Sequence, residues 1–259
     1  YSFPWIPERN WEFTDLDEDE AKERTGGRLP KFLPRSDETP EDAELNEKDG
    51  EKILQMVLDA AGAAGVVAED LGMVPPYVRP LLKKLGIPGF AIPIFERNEE
   101  DRSFKQPDEL APLSLATYGT HDHDPLKTYY ENLVEWWHGP DGHEGWREVQ
   151  RLMRFLGGDE NNPPASFSRD LHFLFLEVLL NTPCWLTLLM ITDLLGTSQR
   201  FNEPGIAGEY NWSQRLERTL DEYEKSSDFG DVISYFAKLI EKTGRQPSKM
   251  PAGTARQTK

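Results

Sequence analysis

Two short apolar runs in this chain stop abruptly at acidic residues, and that repeated stop constrains the fold more than any other feature. Gly65-Val-Val-Ala68 ends in Glu69-Asp70, and Leu113-Ser-Leu-Ala-Thr-Tyr-Gly119 ends in Thr120-His121-Asp122-His123-Asp124. Phe90 to Phe95 and Trp185 to Ile191 are two further apolar runs of strand length. Strands that are apolar on both faces need cover on both sides, which is the pattern of a parallel sheet packed between helices. Helical periodicity supplies that cover. It runs from Glu51 to a stop at Gly62, from Tyr77 to Leu85 with Pro80 straining it, and then over 126–137, 146–156, 168–180 and 229–243. The expected fold class is α/β, with strands at 65–68, 90–95, 113–118 and 185–191.

The chemistry of such a sheet sits at the C-terminal ends of its strands. On that layout Glu69 and Asp122 are expected to face one cavity. A carboxyl at a strand end serves as a general acid when burial raises its pKa; equally, the Glu69-Asp70 pair suits the N-terminus of the following helix. The His121–Asp124 run admits three readings. His121 and His123 point to one side of an extended chain and suit a divalent metal, provided other strand ends add ligands. The run is also ordinary loop polarity, or it sets Asp122 to work on an organic substrate with His121 donating a hydrogen bond. After the last strand, Arg200-Phe-Asn-Glu-Pro-Gly205 and Asn211-Trp212 combine fixed donors with a flat apolar ring, which suits a polyhydroxylated ring as well as it suits a surface loop.

Composition narrows the partners. The 259 residues carry a net charge of −17, which excludes a nucleic-acid backbone or an anionic membrane surface as the natural partner. One cysteine, Cys184, rules out an internal disulfide and fits a reducing, cytoplasmic setting; between Pro183 and Trp185 it reads as core packing. The most apolar stretch, 171–195, is broken by Glu177, Asn181, Pro183 and Asp193 and falls short of a membrane span. No export leader opens the chain, and a first residue of Tyr1 suggests a processed product or a fragment. Residues 1–50, rich in proline and charge, read as an irregular excursion; 51–245 carry the alternating elements, and 246–259 read as a disordered tail. Asp15-Leu-Asp-Glu-Asp19 lacks the glycine and terminal glutamate of a calcium loop and reads as a solvated helix start. No cofactor is implied.

Taken in order, Ala68-Glu-Asp-Leu-Gly72, Pro88-Gly89, Gly119-Thr-His-Asp122, Arg200-Phe-Asn-Glu-Pro-Gly205 and Asn211-Trp212 make the chain resemble the C-terminal portion of the 4-α-glucanotransferases. This is the amylomaltase or disproportionating-enzyme group of glycoside hydrolase family 77, and the resemblance runs over about residues 1–243. It implies a (β/α)8 barrel, of which this chain would be the second half. It also implies a retaining transfer of α-1,4-glucan segments between maltooligosaccharides or to glucose, through a covalent glycosyl-enzyme. Glu69 would be the general acid/base and Asp122 the third carboxylate. His121 would bond the same sugar, and Asp70, Asn202 and Phe95 would line adjoining glucose sites. Two departures stand out. His123 replaces the asparagine that many members carry after the catalytic aspartate. The nucleophile's Arg-Ile-Asp-His type motif is absent upstream of Glu69, where Asp15, Asp17, Asp19, Asp37, Asp42 and Asp49 all lie in polar sequence. The expected missing partner is therefore an N-terminal half of the same enzyme, and the chain alone is expected to be inactive. A non-catalytic glucan-binding module is the competing reading, and a metal-dependent hydrolase using His121 and His123 a distant third.

Overall fold

A computed structural model describes residues 23, 37, 39–206 and 208–245. The expectations for most of 1–50, including the acidic run at 15–19, and for the tail from 246 lie outside the described residues. The chain divides between Gly89 and Phe90 into two compact units.

The first unit contains a long helix, α1 (Pro40–Ala61), and a short one, α2 (Val78–Leu85). α1 takes in residues 40–50, which apolar periodicity alone assigned to an irregular segment. Its start is chemical rather than hydrophobic. The Thr39 side chain accepts from the Asp42 N–H (3.1 Å), Pro40 fills the first position, and Glu41 and Asp42 meet the exposed N–H groups. α2 begins at Val78, so Pro80 falls within the first turn, where no intrahelical N–H bond is lost; it causes no strain there. The run 65–68 is extended but unpaired as a strand. Ala68 N–H donates to Pro88 O (2.9 Å), and Pro88, lacking an N–H, can donate nothing in return.

The second unit is built on a three-stranded sheet in the order β1 (Gly89–Ala91), β2 (Ser114–Ala116), β3 (Leu186–Thr187). β2 and β3 run parallel, with Leu115 opposite Leu186 and Ala116 opposite Thr187. All three strands are shorter than expected. The 90–95 run turns at Pro93, and the Phe95 and Glu96 N–H groups fold back onto Ile92 O. The 185–191 run gives its end to a short helix, α6 (Ile191–Leu195).

Four helices lie within a residue or a few of their expected positions: α3 (Leu126–His138), α4 (Gly142–Leu156), α5 (Arg169–Leu180) and α8 (Gly230–Lys242); α7 (Leu220–Lys225) was not expected. α3 and α4 pair closely because Gly145 has no side chain; a Cβ there would lie 2.4 Å from the Trp137 nitrogen. α5 is the central helix. Leu176 and Leu180 pack with Val232 and Leu239 of α8, and the Phe175 carbonyl accepts from the buried Tyr118 hydroxyl (2.6 Å). That bond fixes the end of β2, from which the acidic loop departs. Among the described residues no helix is long and apolar enough to cross a membrane.

Candidate active site

In the second unit, the loop after β2 and the segment 199–215 meet at an open cavity of about 340 Å³. His121, His123, Met190, Arg200, Phe201 and Trp212 are among its walls. The loop is stiffened by its own side chains. Thr120 N–H donates to His123 Nδ1 (3.0 Å), which leaves the proton of the neutral ring on Nε2, and Asp122 N–H donates to Thr120 Oγ1 (3.3 Å). Phe95 lies against the His123 ring, with centroids 5.2 Å apart, and remains half exposed.

Asp122 projects from this loop with its carboxylate partly open to solvent. Its Oδ1 accepts from the buried Asn202 amide (2.6 Å), and His121 Nε2 stands 3.4 Å from the same oxygen. The Trp212 ring faces His121 at 5.0 Å, with most of its surface free. Trp212 holds φ at 64°, a left-handed conformation that a bulky residue adopts only under constraint. The constraint is visible. Trp212 N–H donates to Phe201 O (2.8 Å), and both ends of the Asn211 amide are committed to the backbone of Glu203 and Ile206. Asn211 thus shapes the loop that presents Trp212. Arg200 donates to Asp124 Oδ1 (2.7 Å), Asp122 O (2.9 Å) and Asn202 O (2.7 Å).

Beneath the loop lies a residue that sequence reading treated only as a break in an apolar run. α3 starts after Pro125, which has no side chain able to cap it, and the missing acceptor comes from Asp193: Leu126 N–H donates to its Oδ1 (2.8 Å). Asp193 is 1% exposed, its Oδ2 has no partner, and burial pushes its carboxyl up to about 7. His172 Nε2 lies 2.7 Å from the Asp193 carbonyl, and burial holds its pKa below the ordinary imidazole value. No local signal could have found this remote cap, because 67 residues separate donor and acceptor.

The first unit holds Glu69 and Asp70. Glu69 is exposed, whereas Asp70 is buried and accepts from Arg79 Nε (3.1 Å). Gly89 leaves room for that carboxylate, since a Cβ at 89 would sit 2.6 Å from Asp70 Oδ1. This explains Pro88-Gly89 as a packing requirement of Asp70. The two histidines that suggested a metal are otherwise engaged, His121 with Trp212 and Asp122, His123 with Thr120 and Phe95. Among the described residues no three His, Cys, Asp or Glu side chains gather where a metal ion would fit.

The 4-alpha-glucanotransferase model of glycoside hydrolase family 77 matches residues 5–221. The chain belongs to that family. A 4-alpha-glucanotransferase of Chlamydia caviae is 30% identical over 214 residues, covering 77% of this chain and 37% of the relative. One from Streptococcus pneumoniae is 27% identical over 214 residues, covering 81% and 38%. Among solved structures, the amylomaltase of Streptococcus agalactiae in complex with acarbose superposes with a TM-score of 0.56 at 21% identity, covering 76% of this chain and 35% of that one. The chain therefore shares the α/β fold of the family and spans little more than a third of the length of these relatives.

Proposed function

We propose that this chain is the C-terminal half of the catalytic (β/α)8 barrel of a 4-α-glucanotransferase, moving α-1,4-glucan segments between maltooligosaccharides or to glucose with retention. The observation that carries the reading is the convergence, within one unit of a family member, of Asp122, His121, Asn202 and Trp212. These are a carboxylate, an imidazole, an amide and an aromatic face; the imidazole and the ring line one cavity, and the carboxylate and the amide bond each other beside the imidazole. A pyranose offers hydroxyl edges to the first three and C–H faces to the ring. The net charge is no obstacle, because the ligand is neutral.

In this reading Glu69 protonates the glycosidic oxygen as the bond breaks, then takes the proton of the acceptor hydroxyl as the new bond forms. Asp122 grips sugar hydroxyls and stabilises the positive charge developing on the ring. Asn202 aims that carboxylate, His121 bonds the same sugar, and Phe95 and Asp70 border neighbouring glucose units. The nucleophilic aspartate that forms the glycosyl-enzyme would come from sequence outside these 259 residues, and the chain alone would transfer nothing.

The test is to titrate the purified chain with maltoheptaose, following tryptophan fluorescence, and to incubate it separately with maltotriose. Binding of the α-glucan without turnover, and no binding of a β-1,4-glucan of equal length, is expected. Absence of binding would refute the glucan site. Release of glucose together with longer oligosaccharides would show that the chain carries its own nucleophile.

A further inference from the structure

We infer that Arg200 and Asp124 are a positioning pair that fixes Asp122 and Asn202, and that Arg200 is not a sugar ligand. The inference rests on the glucan-site reading above and revises the role that sequence gives Arg200. Each guanidinium nitrogen already has a protein acceptor: Nε on Asn202 O, Nη1 on Asp124 Oδ1 and Nη2 on Asp122 O, all between 2.7 and 2.9 Å. Asp124 accepts in turn from Asn132 of α3 at 3.4 Å through its other oxygen. The Arg200 carbonyl accepts from Tyr210 (3.2 Å), so the backbone of the residue is tied as well.

The geometry gives these bonds a purpose. Asp122 and Asn202 come from segments 80 residues apart, yet their side chains meet at 2.6 Å. Neither lies in a helix or a strand, so no backbone ladder sets their separation. One planar guanidinium bonded to the carbonyls of both residues does so directly, because its donors diverge at fixed angles. Asp124 completes the device. Its carboxylate neutralises the cation and holds the fork in plane, and its link to α3 references the cluster to a rigid element. Lysine could supply the charge, but its donors radiate from one nitrogen and cannot reach three acceptors spread around a planar fork.

Two measurements on the full chain test this. Amide hydrogen exchange over 120–125 and 200–203 should accelerate in both Arg200→Lys and Asp124→Asn, while circular dichroism stays unchanged. In a binding cycle with maltoheptaose, each single substitution should weaken affinity about tenfold, and the double variant no more than either single. Loss from Arg200→Lys with Asp124→Asn silent in both measurements would mean that the arginine touches sugar itself and would overturn the pairing. So would additive losses, or unchanged exchange in both variants. Trp212→Ala serves as the control for the underlying reading, because it removes the sugar-facing ring and leaves the pair in place. If it leaves affinity unchanged, the glucan site falls while exchange still decides the pairing.

Discussion

Asp193→Asn should stabilise the second unit in alkaline buffer and leave it nearly unchanged in acid. An unfolded aspartate titrates near 3.9, whereas the buried Asp193 carboxyl is pushed up to about 7. Folding therefore favours the protonated form. The contribution is complete below the unfolded value and is lost as pH rises through the folded one. The distance from about 3.9 to about 7 puts the ionised residue at a disadvantage of roughly 4 kcal/mol above pH 8. Asparagine keeps an oxygen for Leu126 N–H and places an amide where Oδ2 finds no partner. That unmet donor costs about 1–3 kcal/mol, much as the hydroxyl of protonated Asp193 does in acid. The two proteins should then match below about pH 4 and diverge by a few kcal/mol at pH 8.5, with the variant the more stable. His172 titrates in the opposite sense, its stabilising share being lost as pH falls, but it is common to both proteins and cancels. Urea unfolding followed by far-UV dichroism at the two pH values measures the difference. A variant equally or less stable than the parent at pH 8.5 would refute the reasoning. Asp193→Leu, which abolishes the cap, should lose about 1 kcal/mol or more at the acidic pH, where the parent carries no ionisation burden.

In an enzyme containing this chain, Glu69→Gln should lower turnover on maltotriose at least about a hundredfold with little change in binding, and a variant keeping most of its transferase activity would remove the proton-shuttle role. Asp122→Asn should be comparably damaging through lost transition-state stabilisation, seen in kcat rather than KM. Gly89→Ala forces a methyl against the Asp70 carboxylate and should cost about 1–3 kcal/mol in a thermal melt, whereas a neutral result would mean that Asp70 simply swings aside. At position 212, where φ is 64°, the Gly variant should be more stable than the Ala variant by about 1 kcal/mol while both bind maltoheptaose equally poorly. An Ala variant at least as stable as Gly would remove the case for strain at that position.

The acidic stop after β2 was legible as a local pattern, an apolar run stopped by carboxylates, whereas the same pattern at 65–70 follows a run that forms no strand. β1 proved short for a reason also written locally, in Pro93, which has no N–H to continue the ladder, and the run that holds β3 passes into a helix. The helices α3, α4, α5 and α8 were legible from periodicity. α1 was half missed because its first turns are polar, and its start signal of Thr39, Pro40, Glu41 and Asp42 outweighs the absence of an apolar stripe. The metal reading of His121 and His123 rested on spacing alone, and spacing does not show that a ring nitrogen is already occupied by Thr120.

What could not be read was how donors are divided between substrate and scaffold. Arg200, Asn202, Asn211 and Asp70 have the side chains of a sugar site, and sequence assigned all four to sugar. The structure commits the amide of Asn211 to loop carbonyls, the carboxylate of Asp70 to Arg79 and the three nitrogens of Arg200 to protein oxygens. Asp193, which faces no ligand, caps the helix on which the acidic loop lands. These partners lie 2 to 78 residues apart, and the longer spans follow no repeat that periodicity could detect. A loop that must hold a carboxylate at a fixed place, without a ladder beneath it, has to draw its rigidity from side-chain bonds of this kind. The polar residues closest to the cavity are then the ones most often engaged in building it, and in the glucan-site reading only those with an open face, as at His121 and Trp212, remain for the substrate.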